Sequence, residues 1–135
     1  MNITTKGRYA LRIMIDLGQQ EEGTPVSLKT ISQRQGISMK YLEAIAAVLT
    51  KAGFIASSRG KNGGYRLTRL PEEYSIGEIL RQTEGSLAPV SCLESGCPNS
   101  DGCITLPLWA GLDRRIDEYL NSVTLGHVLK GNVPK

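Results

Sequence analysis

The sequence predicts a mainly α fold with one small β-hairpin. Three observations carry that prediction. Apolar residues recur at helical spacing in several separate segments, Ser and Gly residues punctuate those segments, and the only strand-like stretch is folded about the run Gly60-Lys61-Asn62-Gly63-Gly64. At 135 residues the chain is about one domain's worth, which excludes a multidomain enzyme. Apolar residues make up 40% of it and aromatic residues 5%, so its core is lean in large rings.

Ala10, Ile13, Met14 and Leu17 fall at i, i+3, i+4 and i+7, with Leu11 and Ile15 widening the stripe; residues 6–18 form a helix apolar on two sides. Ser27 caps a short helix through Leu28 and Ile31, which Gly36 stops because glycine takes the left-handed conformation at little steric cost. Ser38 caps the next helix, over 39–52, which places Leu42, Ile45, Ala46 and Leu49 on one face and Lys40, Ala44, Ala47 and Lys51 on the other. Helix, short Gly-containing turn, helix is the helix-turn-helix arrangement, whose second helix enters the major groove by its N-terminal end; Lys40, Tyr41, Glu43 and Ala44 would face the bases. A plain αα-hairpin with a solvated face has the same pattern. After Gly53, residues 54–59 read as a strand, 60–64 as a turn and 65–68 as the returning strand, a hairpin placed as a wing. Arg59, Lys61 and Arg66 beside three glycines would let the backbone approach phosphates or slide an arginine into a narrow minor groove. The glycine spacing matches neither the Walker nor the dinucleotide pattern, so the turn is not a nucleotide loop.

Ser75 with Glu78 forms a capping box opening a helix through Ile76, Ile79, Leu80 and Thr83, which Gly85 ends. Thr105 is expected to cap a longer helix with Pro107 in its first turn. That helix carries Trp109, Leu112, Ile116, Tyr119 and Val123 at spacings of 3, 4, 3 and 4, a heptad stripe expected to be a dimer seam; the other possibility is that it packs on the chain's own first helix. A two-fold dimer would place two recognition helices on one face of DNA. His127 is expected at the surface and residues 131–135 as a loose tail. The architecture read from these elements is a winged helix-turn-helix head plus a long C-terminal dimerisation helix. Residues 1–85 are the DNA-binding region, 86–104 the cysteine-bearing loop, and 105–130 the dimerisation helix and C-terminal segment.

The net charge of +3 hides an asymmetry: residues 1–70 carry eleven Lys and Arg against four Asp and Glu, whereas the remainder carries five against nine. A basic head on an acidic body suits a polyanion-binding protein with a second task. The longest unbroken apolar run, 44–49, is far short of the roughly 20 residues that span a bilayer, and the N-terminus shows no secretion signal, so a cytoplasmic protein with no membrane partner is expected. Cys92, Cys97 and Cys103, separated by four and five residues with Gly96, Pro98 and Gly102 between, lie on a chain that can curl to converge three sulfurs. An odd number in so short a window fits a thiolate site in a reducing compartment better than a disulfide framework. Soft thiolates favour iron–sulfur clusters, zinc or copper(I), and Cys103 just before a helix start is placed to hold a thiolate. Structural zinc sites usually bring closer ligand pairs and four protein ligands, so zinc is a poorer fit, though zinc and bare redox-active thiols both stay open.

Thr5-Lys6-Gly7-Arg8-Tyr9-Ala10, the run Ile31-Ser32-Gln33-Arg34-Gln35-Gly36-Ile37-Ser38, the wing residues Arg59-Gly60 and Gly63-Gly64-Tyr65, and Thr124-Leu125-Gly126 resemble the Rrf-type winged helix-turn-helix regulators over nearly the whole chain. The resemblance implies a homodimeric bacterial transcription factor whose partner is a double-stranded DNA operator. An iron–sulfur cluster on the three cysteines, 2Fe-2S in preference to 4Fe-4S, would set its DNA affinity or sequence choice. By position, Lys40 and Glu43 would read bases and Arg59 the minor groove, within a DNA-binding set of Ser38, Lys40, Tyr41, Glu43, Arg59, Gly60, Lys61, Gly64 and Tyr65. Ala44 stands where the family's iron–sulfur branch has glutamine. A cluster takes four ligands. That branch supplies a histidine three positions after the third cysteine, where this chain has Leu106, and the nitric-oxide-sensing branch an aspartate at a position aligning with Arg8. The remaining candidates are Glu94 and Asp101 in the loop, then Glu43, Asp113 or a residue of a second subunit.

With one histidine, no nucleophile elbow, no paired carboxylates in an apolar setting and no phosphate loop, no enzyme is expected. The alternatives are a thiol- or zinc-based redox-responsive DNA-binding repressor, or a cluster carrier without a DNA role, which would not need the basic head.

Overall fold

The computed structural model describes residues 3–95 and 102–135. Among these described residues, seven α-helices and a two-stranded sheet follow in the order α1 (Thr5–Gly18), α2 (Leu28–Gln35), α3 (Met39–Lys51), β1 (Ile55–Ser58), β2 (Gly64–Leu67), α4 (Ile76–Glu84), α5 (Cys92–Ser95), α6 (Leu106–Ser122) and α7 (Leu125–Lys130). The mainly α fold with one hairpin, a winged helix-turn-helix head and a long C-terminal helix is therefore the architecture observed.

One core fills the head. Ala10, Ile13, Met14 and Leu17 of α1 meet Ile31 of α2, Leu42, Ile45 and Leu49 of α3, Phe54 and Ile55 at the wing base, and Leu125 of α7. The helix ends follow the local chemistry of the sequence. Ser27 accepts from the Thr30 N–H, and Ser38 accepts from the Tyr41 N–H. Gly36 ends α2 at φ +66°, the left-handed conformation that lets the chain reverse into α3. Helix α1 starts differently. Its Thr4 makes no side-chain cap, and the Glu84 carboxylate at the end of α4 accepts instead from the Thr4 N–H at 2.8 Å and the Gly7 N–H at 3.0 Å.

The wing is antiparallel, with Ile55 opposite Leu67 and Ser58 opposite Gly64. Val26 adds a third ply beside β2, exchanging two 2.8 Å backbone hydrogen bonds with Tyr65. A Cβ at Gly64 would collide with the Val26 carbonyl, so glycine is required by this close approach. Tyr74 locks the other side: its buried hydroxyl donates to the Phe54 carbonyl at 2.7 Å and accepts from the N–H groups of Thr68 and Arg69 at 2.9 and 3.0 Å. Arg69 lies over the Phe54 and Tyr74 rings and pairs with Glu78 at 2.9 Å. Burial raises the Glu78 carboxyl's affinity for its proton, but the Ser75 N–H and Arg69 outweigh it and hold this carboxyl below its ordinary value.

The last third of the chain departs from the expectations in four places. Val123 is not on the outer stripe: α6 stops at Ser122, and Val123 is buried with Ile76, Leu80 and Leu87 while its carbonyl accepts from the Ile76 N–H. Thr105 stands at the start of α6 but makes no side-chain cap; its hydroxyl lies 3.5 Å from the Cys103 sulfur. His127 is half-buried and closes a capping box with Thr124, its Nδ1 accepting from the Thr124 N–H at 3.0 Å. The tail is held, because the Tyr119 hydroxyl donates to the Pro134 carbonyl at 2.8 Å.

Candidate nucleic-acid interface and cysteine loop

Helix α3 divides its residues as the spacing required, with Leu42, Ile45, Ala46 and Leu49 buried and Lys40, Tyr41, Glu43, Ala44 and Ala47 exposed. Its first turn is braced from behind. The Tyr41 ring meets the Tyr9 ring of α1 edge to face at 6.0 Å, and the Arg12 guanidinium lies 5.6 Å from the Tyr9 centroid. Beyond α3, Arg59, Gly60, Lys61 and Asn62 form the exposed tip of the wing. Ser38, Lys40, Tyr41, Glu43, Arg59, Gly60 and Lys61 therefore lie on exposed stretches of these two elements, whereas Gly64 and Tyr65 are half-buried at the start of β2, where Gly64 admits Val26 and Tyr65 packs on the core. These two shape the wing. Signals in the sequence pointed to its tip but not to the residue that bonds the helix-turn-helix to α1: Asp16, fully buried, accepts from Arg34 Nη1 at 3.2 Å and Gln35 Nε2 at 3.1 Å.

Helix α6 packs along α4 through Arg81, whose guanidinium reaches Asp117 at 2.5 Å and Asn121 at 2.9 Å. None of its seventeen residues is buried. Leu108, Leu112 and Tyr119 are 60%, 41% and 43% exposed, and at 100° per residue they lie with Arg115 within about 60° of one another, facing away from Asp117. Trp109 and Ile116 border this strip half-buried. An apolar groove runs along it, lined by Leu112, Ile116, Tyr119 and Leu120 with the Arg115 stem. The stripe thus gains Leu108, which a strict heptad omits, and loses Val123.

Cys92 opens α5 and Cys103 lies three residues before α6, both half-exposed and neither in a disulfide; Cys97 and Asp101 lie outside the described residues. The Thr105 hydroxyl first, then the N–H groups of Thr105 and Leu106, hold the Cys103 thiol below its ordinary pKa. Glu94, two residues after Cys92, is exposed. Asp113 lies about 10 Å further along α6 than Leu106 by the standard rise. Among the described residues no three His, Cys, Asp or Glu side chains are gathered as a metal site, and no helix is long and apolar enough to cross a membrane.

A helix-turn-helix with an exposed second helix, flanked by a basic wing, defines the class: this is a DNA-binding transcriptional regulator. The chain belongs to the Rrf2 family of iron-dependent transcriptional regulators, whose pattern it matches over residues 3–131. It is 41% identical over 133 residues to the HTH-type transcriptional regulator IscR of Vibrio campbellii, covering 98% of this chain and 79% of that protein. Among solved structures it resembles IscR of T. potens, with a TM-score of 0.81 and 41% identity over 97% of this chain and 88% of that one. It also resembles CymR, the global cysteine regulator of B. subtilis, with a TM-score of 0.81 and 38% identity over 97% and 98% of the two chains.

Proposed function

We propose that the protein acts as a homodimer whose two heads grip a double-stranded DNA operator, and that an iron–sulfur cluster on Cys92, Cys97 and Cys103 sets how tightly or where it binds. The observation that carries this reading is the position of the cysteine loop between the two elements it would influence. It leaves α4, whose Glu84 holds the start of α1, and it enters α6, whose outer face is left exposed by the described residues apart from the Tyr119 hydroxyl's bond to Pro134. Lys40 and Glu43 read bases from α3, Ser38 fixes the start of that helix, and Arg59 and Lys61 reach phosphates and the minor groove, with Gly60 opening the wing tip to them. Tyr41 lies exposed beside them in the first turn of α3. Trp109, Leu112, Ile116 and Tyr119, with Leu108, form the seam between subunits.

The donor set suits the cluster. Three thiolates are soft ligands, and Leu106 has no donor atom; we assign the fourth place to an oxygen donor, Glu94 or Asp101 of the loop first, then Glu43, Asp113 or a residue of the second subunit. When bound, a 2Fe-2S cluster would supply a centre responsive to iron and oxidants. Anaerobic reconstitution followed by visible spectroscopy and iron, sulfide and zinc analysis tests this. Stoichiometric iron and sulfide with visible absorbance support it; stable zinc in the isolated protein, with no iron-dependent absorbance after reconstitution, would overturn the cluster in favour of a zinc-based regulator.

Two predictions concern the DNA side. Arg59→Ala removes the wing's principal cation from both heads, and operator affinity should fall by tenfold or more while the protein stays folded and dimeric. Full affinity in that variant, measured by fluorescence anisotropy, would remove the wing from the interface. Glu43 repels phosphate and accepts only from donors such as cytosine N4, so it excludes sequences rather than adding affinity. Glu43→Ala should broaden the set of duplexes selected from a random library, and an unchanged consensus would refute that role.

A further inference from the structure

Asp16 is a carboxylate with no exposed surface, placed where α1 crosses the end of α2. Its two oxygens accept from Arg34 Nη1 at 3.2 Å and Gln35 Nε2 at 3.1 Å. Gln35, the last residue of α2, is bonded at three atoms: its amide donates to Asp16, its Oε1 accepts from Arg12 Nε at 3.1 Å, and its backbone carbonyl accepts from Arg12 Nη2. Arg12 lies over Tyr9, whose ring meets Tyr41 in the first turn of α3. The next residue, Gly36, is the left-handed turn on which α3 pivots. A buried ion pair of this kind adds little net stability, since the cost of desolvating a carboxylate roughly cancels its attraction to a half-exposed guanidinium. What it supplies is geometry: the α2 end of the turn is hydrogen-bonded to α1, and the first turn of α3 packs through Tyr41 on Tyr9 of that same helix.

We infer that Asp16, Gln35 and Arg12 are positioning residues for sequence discrimination, fixing the angle at which α3 enters the major groove. The inference rests on the DNA-reading role of α3 and requires no cluster. Base contacts need side-chain atoms aligned to fractions of an ångström, whereas attraction to the phosphate backbone tolerates a tilted helix. Loosening the clamp should therefore cost operator affinity and leave binding to arbitrary DNA in place. Loss of folded protein would lower both together.

The probe is the consensus duplex that the wild type selects from a random library, compared with a scrambled duplex of the same composition over a salt series. Asp16→Asn and Gln35→Ala should each reduce the ratio of consensus to scrambled affinity by tenfold or more, with scrambled affinity and salt slope close to wild type and a cooperative melting transition retained. Combined with Arg12→Lys, each should cost less than the sum of the single effects, because all three act through one network. Gln35 is only half-buried, so its truncation keeps the test open if Asp16→Asn fails to fold. A preserved ratio in folded Gln35→Ala, or a parallel fall in consensus and scrambled affinity, overturns the inference. Selection of no consensus by the wild type would overturn the DNA reading beneath it as well.

Discussion

Ile116→Glu should sediment as a monomer and lose at least a hundredfold in operator affinity. The substitution sets two carboxylates facing each other across the two-fold seam, since each change on such an interface occurs twice. Burying an unpaired carboxylate there costs several kcal/mol, on the order of the net stability of a seam two heptads long. The head should remain folded, because no residue of α6 is buried within its own chain and the core of α1, α3 and α7 lies elsewhere. Operator binding falls through lost bivalency: one head alone gives up the effective concentration with which the second half-site is captured. Leu112→Glu should act alike, being on the same exposed strip. A wild-type chain that sediments as a monomer, or Ile116→Glu remaining dimeric, would mean that this face serves something else.

The second large effect lies in the cysteine loop. Cys92→Ala, Cys97→Ala and Cys103→Ala should each prevent stable cluster assembly, because three thiolates and one weaker oxygen ligand leave no ligand to spare. Loss of the visible absorbance should be complete rather than graded. Leu106→His offers the opposite change. Imidazole is softer than carboxylate, and a histidine three residues after Cys103 should slow cluster loss in air if the loop brings that position to the metal. Absorbance followed after exposure of the reconstituted protein to air measures this. A Cys103→Ala protein that retains a full complement of iron and sulfide would remove Cys103 from the ligand set.

Much of the head was legible because its signals are local. Ser27, Ser38 and the Ser75–Glu78 box cap helices through bonds spanning three residues, and the Gly60–Gly63 run lies between two strands that pair with each other. What escaped depends on contacts between residues far apart in the chain. Glu84 caps α1 from 80 positions away, and Asp16 looks like any helix acid until Gln35 folds onto it. The heptad pattern runs on to Val123 without a break in the sequence. Only the pairing of Ile76 with Val123 shows that the helix has ended and the chain has turned into its own core. Leu108 was missed for the opposite reason: it lies off the strict a/d spacing but on the same face of a straight helix. Within the loop, residue types alone pointed to thiolate chemistry, and the Thr105 hydroxyl beside Cys103 adds a partner that a capping rule assigned to the helix instead.

Control of DNA binding by the cysteines is the core of the proposed function. Its most direct test is the operator affinity of the anaerobically reconstituted protein against the cluster-free protein, measured at one salt concentration on the selected consensus duplex, with the Cys92→Ala variant carried through the same treatment. The predicted result is a change of tenfold or more between the two wild-type forms, or a shift in the consensus they select, and no difference in Cys92→Ala. Identical affinity and identical consensus for loaded and cluster-free protein would show that the cysteines do not govern binding.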